Sequence, residues 1–104
     1  MPKYYNKKTN GYDSKKESIR ASNLKILERA GSISDLKEQV VFELQPSFKL
    51  NGKTELSIKY IADFTYIQDG NYIVEDVKGF KTEVYKLKRK MLLFKYSNIK
   101  FIES

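Results

Sequence analysis

Two tight-turn dipeptides, Asn51-Gly52 and Asp69-Gly70, constrain the fold of this chain more than any other feature. Each pair reaches positive φ cheaply, and such pairs close two-residue hairpins. Between them lies a run over residues 56–67 that is rich in β-branched and aromatic side chains. Before it stand Val40-Val41-Phe42-Glu43-Leu44 and Phe48-Lys49-Leu50, separated by Pro46, which suits a sheet edge or a bulge. After it comes Tyr72-Ile73-Val74-Glu75-Asp76-Val77-Lys78, ended by Gly79. Short turns make sequence neighbours antiparallel. The three runs are therefore expected to form an antiparallel meander.

Helical periods flank the meander. Asp13 is a candidate N-cap and Gly31 a candidate stop behind Arg29, with Ile19, Ala21, Leu24, Leu27 and Ala30 as the apolar stripe. The spacing predicts a first helix over 14–30. A second is predicted over 82–96, with Thr82 as cap and Val84, Leu87, Met91, Leu92 and Phe94 at apolar positions. Ile99-Lys100-Phe101-Ile102 reads as a last strand. Because it follows a crossover helix, it can lie parallel to a meander strand. The expected class is α/β, an αβββαβ order with one mixed sheet and packed helices. Residues 1–12, with Lys3, Lys7, Lys8 and three tyrosines but no clear period, read as a basic flexible arm. Residues 13–104 read as a single domain, since 104 residues hold one modest core.

Composition excludes whole classes of chemistry. The chain has no cysteine and no histidine. Disulfides, thiolate zinc sites, imidazole ligands and histidine general bases are all ruled out. Catalysis must use carboxylates, lysines, tyrosines or hard cations. No apolar run approaches the roughly 20 residues of a membrane span, and the first residues lack the apolar core of a signal peptide, so a cytoplasmic protein is expected. The formal charge of +7 favours polyanionic partners, nucleic acid first, although a solvated lysine-rich surface would give the same total.

Four positions stand out against this background. Asp63 interrupts an apolar strand. Asp76 and Lys78 lie two apart in the next strand and share a face. Glu17 falls on the stripe of Ala21 and Leu24 and should point toward the sheet. Burying such groups among Ile, Val and Phe is costly without compensation. A divalent cation with a lysine supplies it, since Mg²⁺ needs only one or two carboxylates and keeps its waters. The bland alternative is a structural ion pair in which Lys78 neutralises Asp63 or Asp76.

At these residues the chain resembles the PD-(D/E)XK nuclease superfamily, and more specifically small phage and prophage proteins related to it. Ile61-Ala62-Asp63-Phe64 and Val74-Glu75-Asp76-Val77-Lys78-Gly79 carry the resemblance, with Lys81-Thr82 and the lysine-rich helix after them. It covers about residues 13–103. The resemblance implies a restriction-endonuclease-like core, with Asp63, Asp76 and Glu17 as metal ligands and Lys78 as the catalytic lysine. It also implies Mg²⁺ or Mn²⁺ as cofactor and a bacterial host cell as the setting. Two departures matter. Asp76 stands where many members have Glu, and Ala62 stands where the pattern has Pro. Glu75 should face away, but a bulge could re-register the strand and make Glu75 the second ligand in place of Asp76.

Basic side chains supply candidate nucleic-acid contacts. Lys88 lies on the apolar side of the second helix and either snorkels to water or reaches a phosphate. Lys81, Lys86, Arg89 and Lys90 form either a phosphate-contacting surface or plain solvated charge. Lys7 and Lys8 of the arm join them, and Tyr4, Tyr5 and Tyr12 either stack on bases or pack on the domain. The function implied is a Mg²⁺-dependent endodeoxyribonuclease acting on double-stranded or branched DNA, resembling a Holliday-junction resolvase, in phage recombination. Symmetric cutting of two strands needs two sites and hence a homodimer. Alternatives are a non-catalytic nucleic-acid-binding module and a phage protein that docks on a host protein.

Overall fold

The computed structural model describes residues 11, 12 and 14–104. Lys7, Lys8, Tyr4, Tyr5 and the candidate cap Asp13 lie outside the described residues. The elements are α1 (Lys15–Arg29), β1 (Ser34–Gln45), β2 (Phe48–Leu50), β3 (Lys53–Glu55), β4 (Ile58–Gln68), β5 (Asn71–Asp76), α2 (Glu83–Lys95) and β6 (Lys100–Glu103). One mixed sheet has the order β1-β4-β5-β6. β1, β4 and β5 are antiparallel neighbours, and β6 runs parallel to β5 after the α2 crossover. The αβββαβ order and the mixed sheet are as the sequence predicts.

Local chemistry sets the boundaries. Ser14 caps α1, its side chain accepting from the Glu17 N–H. Thr82 caps α2 in the same way through the Tyr85 N–H. Asp69 (φ 52) and Gly70 (φ 80) both take left-handed conformations, which is what a tight β4–β5 turn requires. Asn51-Gly52 also closes a hairpin, but a separate one. It joins β2 to β3, and that two-stranded ribbon leaves the sheet between β1 and β4. β1 also starts at Ser34, well before the apolar run that marks it in the sequence.

Ile73 and Val74 are consecutive in β5 and belong to different clusters, so the two clusters occupy opposite faces of the sheet. α1 packs Ala21 and Leu24 on one face with Ile33, Phe64, Tyr66 and Ile73. α2 packs Leu92 on the other with Phe42, Leu44, Tyr60, Ala62 and Val74. The helix stripes differ from expectation. Ile19 of α1 is exposed, whereas Glu17 and Ser18 are buried. In α2, Val84, Leu87 and Phe94 point outward, and Tyr85, Leu92 and Tyr96 face the sheet.

β4 turns over at Asp63. Ala62 belongs to the α2 side and Phe64 to the α1 side, although residues two apart share a face in a regular strand. The rung opposite Asp63 is Gln39, between the pairs Glu38↔Phe64 and Val40↔Ala62. Gln39 has φ 53, a left-handed residue inside a strand, which is the kind of local twist that re-aims side chains.

Candidate active site

The β4–β5 ladder ends at Phe64↔Glu75, and carboxylates replace backbone pairing beyond it. The Asp63 N–H donates to Asp76 Oδ1 at 2.9 Å, and the Val77 N–H donates to Asp63 Oδ2 at 2.9 Å. Each aspartate thus satisfies a donor on the other side of the opening, so the strands separate without stranding these N–H groups. Asp76 is fully buried, and its Oδ2 has no hydrogen-bond partner among the described residues. Burial pushes the Asp76 carboxyl above the usual range, against the pull of the Asp63 N–H and the Lys78 charge. A buried carboxylate oxygen without a donor is expensive, and such groups concentrate at functional sites.

Lys78 acts on Asp76 through its charge, and its Nζ lies 4.7 Å from the centroid of the Tyr85 ring. No ion pair within 4.0 Å among the described residues includes it. Lys78 is therefore not locked into a structural bridge with Asp63 or Asp76. An aromatic face holds the ammonium by cation–π attraction and leaves its N–H donors available.

Glu17 reaches the site through an intermediary. Gln39 Nε2 donates to Glu17 Oε2 at 3.3 Å and approaches Asp63 Oδ1 at 3.5 Å. The twist at Gln39 brings this amide between the acid of α1 and the acid of β4. Among the described residues, no group of three or more acidic side chains is arranged to hold a metal ion. The acids that fit a hard cation are Asp63 and Asp76, with the unmet Oδ2 as the strongest pointer. Two carboxylates suffice for Mg²⁺, which retains most of its waters.

Glu75 faces the other way into a closed network. Arg20 donates to it through Nε at 2.5 Å and Nη2 at 3.0 Å, Tyr66 Oη at 2.5 Å and Ser104 Oγ at 2.7 Å. Burial pushes Glu75 up, but the donors from Arg20, Tyr66 and Ser104 outweigh it and hold the carboxyl below its usual range. Burial, then Glu75, pushes the Tyr66 hydroxyl up to about 12. The register therefore sets Asp76, not Glu75, beside Asp63.

The basic candidates divide into two groups. Lys81 and Arg89 bind Glu103 at 3.1 and 3.3 Å, and Lys86 binds Glu83 at 3.3 Å. Glu103 is held below its usual range, first by the Tyr85 hydroxyl and then by Lys81. Lys88 and Lys90 have no acid within ion-pair distance among the described residues. Lys88 is half-buried and shares a groove with Lys78. Tyr12 packs against the α1 side of the core, and its hydroxyl accepts from Lys25 Nζ at 3.1 Å. Gln39 carries no sequence signal, since it lies in a polar stretch and its conformation is imposed from across the sheet.

No helix of the described residues is long and apolar enough to cross a membrane. No curated protein and no solved structure matches the chain. A family model matches residues 1–103, and its description reads "Protein of unknown function (DUF1064)".

Proposed function

The chain belongs to this family of unknown function, and we propose that it is a Mg²⁺-dependent endodeoxyribonuclease of the PD-(D/E)XK type. The observation that carries the reading is the buried, unpartnered Oδ2 of Asp76 at the point where β4 and β5 separate, next to Asp63 and Lys78. Asp63 and Asp76 would hold the cation. A divalent cation in such a site polarises a phosphoryl oxygen and lowers the pKa of water. Lys78 stabilises charge that develops on the phosphoryl oxygens, with Tyr85 fixing its position. Glu17, oriented by the Gln39 amide, accepts a proton from the attacking water or positions it.

A branched substrate and a homodimer belong to this reading, because cutting two strands symmetrically needs two sites. The outward side of α2 supports a second copy. Leu87 and Phe94 lie seven residues apart, the repeat of a helix–helix seam, and are 59% and 89% exposed. The test is incubation of the protein with Mg²⁺ or Mn²⁺ and linear, nicked and branched DNA. Cutting that is lost in Asp76→Asn while DNA binding persists is the expected result. No cutting of any of these substrates would overturn the reading. Binding without cation uptake in calorimetry would favour a non-catalytic nucleic-acid-binding module.

A further inference from the structure

β4 continues past its last pair with β5, from Phe64 back to Ile58, and α2 begins beside this unpaired edge. Between them lies a groove of about 270 Å³ lined by Lys59, Tyr60, Ile61, Lys78, Thr82, Val84, Tyr85 and Lys88. Two observations single it out. Its three lysines have no acid within ion-pair distance among the described residues, whereas Lys81, Lys86 and Arg89 nearby are all paired. Lys78 belongs both to the groove and to the surroundings of Asp76, so the groove opens directly beside the acidic site.

The chemistry of the missing partner follows. Lysine ammoniums only donate, so what the groove lacks is an acceptor. An anionic oxygen supplies it and neutralises the unpaired charges together. We propose that this groove is a second phosphate subsite, which takes a DNA backbone phosphate neighbouring the one presented to Asp63 and Asp76. Lys59 and Lys88 supply the charge, and Lys78 stands between the groove and the acids. The subsite fixes the strand's position relative to the acids, as phosphate contacts do generally. It rests on the nuclease reading only for which phosphate is cut.

The experiment is a titration of fluorescently labelled duplex DNA with the whole chain in EDTA, followed by anisotropy across about 50 to 200 mM salt. Lys59→Ala and Lys88→Ala should each lower the slope of log K against log salt by about 0.9, the value for one phosphate contact on a duplex. Unchanged slopes in both variants overturn the subsite, as does failure of the wild type to bind. If the slopes fall but no DNA is ever cut with Mg²⁺ or Mn²⁺, the subsite stands and the nuclease reading falls. If cutting persists with unchanged slopes, only the subsite falls.

Discussion

Asp76 spends one carboxylate oxygen on the backbone of Asp63, at 2.9 Å, and keeps the other buried without a donor. This division of labour explains how the site stays ordered while retaining ligand capacity. Oδ1 holds the strand opening in shape, and Oδ2 is the oxygen that the proposed cation would take.

Asp76→Asn should therefore separate stability from function. The amide oxygen can still accept the Asp63 N–H, and position 76 no longer buries a charge. The variant should fold, resist thermal unfolding in EDTA at least as well as wild type, and lose cleavage by about a hundredfold or more. Mg²⁺ should raise the melting temperature of wild type and leave that of the variant unchanged. Equal cation-dependent stabilisation of both proteins would remove Asp76 from the ligand set.

Lys78→Met tests the lysine alone. Its Nζ makes no ion pair among the described residues, and its contact is the Tyr85 ring. The loss should cost stability about 1 kcal/mol or less, in line with an exposed cation–π contact. Single-turnover cleavage should fall steeply while cation uptake by calorimetry survives. Cleavage at the wild-type rate would return Lys78 to a structural role.

Glu75→Gln should destabilise the protein by about 1.5–3 kcal/mol at neutral pH, because it removes the charge from the hydrogen bonds with Arg20, whose own side chain is partly exposed. The sign with pH follows from the lowered Glu75 value. The unfolded state binds this proton more readily, so the carboxylate's contribution is present above the ordinary Glu pKa of about 4.3 and is lost as pH falls through the lower folded value. Urea titrations of both proteins should converge in acid. A gap that persists at low pH would assign the stabilisation to something other than ionised Glu75.

Leu87→Glu and Phe94→Glu probe the α2 seam. Both side chains are well exposed, at 59% and 89%, so the chain alone should tolerate either change within about 0.5 kcal/mol. Light scattering should show a wild-type dimer and monomeric variants. A wild type that stays monomeric at micromolar concentration would refute the seam.

Much of this was written locally. Thr82, Asp69-Gly70 and the apolar strands announce themselves, and Asp63, Asp76 and Lys78 are visible as charges set among β-branched residues. The parts that escaped depend on distant partners. Residues 34–39 are polar except for Leu36, and they become strand because β4 offers them a ladder. The apolar positions of α2 suggested an inward stripe, yet Tyr85 and Tyr96 fill the interior and Leu87 and Phe94 are displaced outward. Gln39 joins the site through a left-handed turn in β1 that no nearby residue encodes.

The back-to-back arrangement of Glu75 and Asp76 limits how this motif can change. Sliding β5 by one residue would carry Asp76 toward Arg20 and Tyr66 and withdraw an acid from Asp63. Arg20 therefore acts as a ratchet pawl on the far side of the strand. On the proposed reading the acid cannot move from position 76 to its neighbour without leaving the Asp63 backbone. The two positions are tied together through Arg20, which lies on the face away from Asp63.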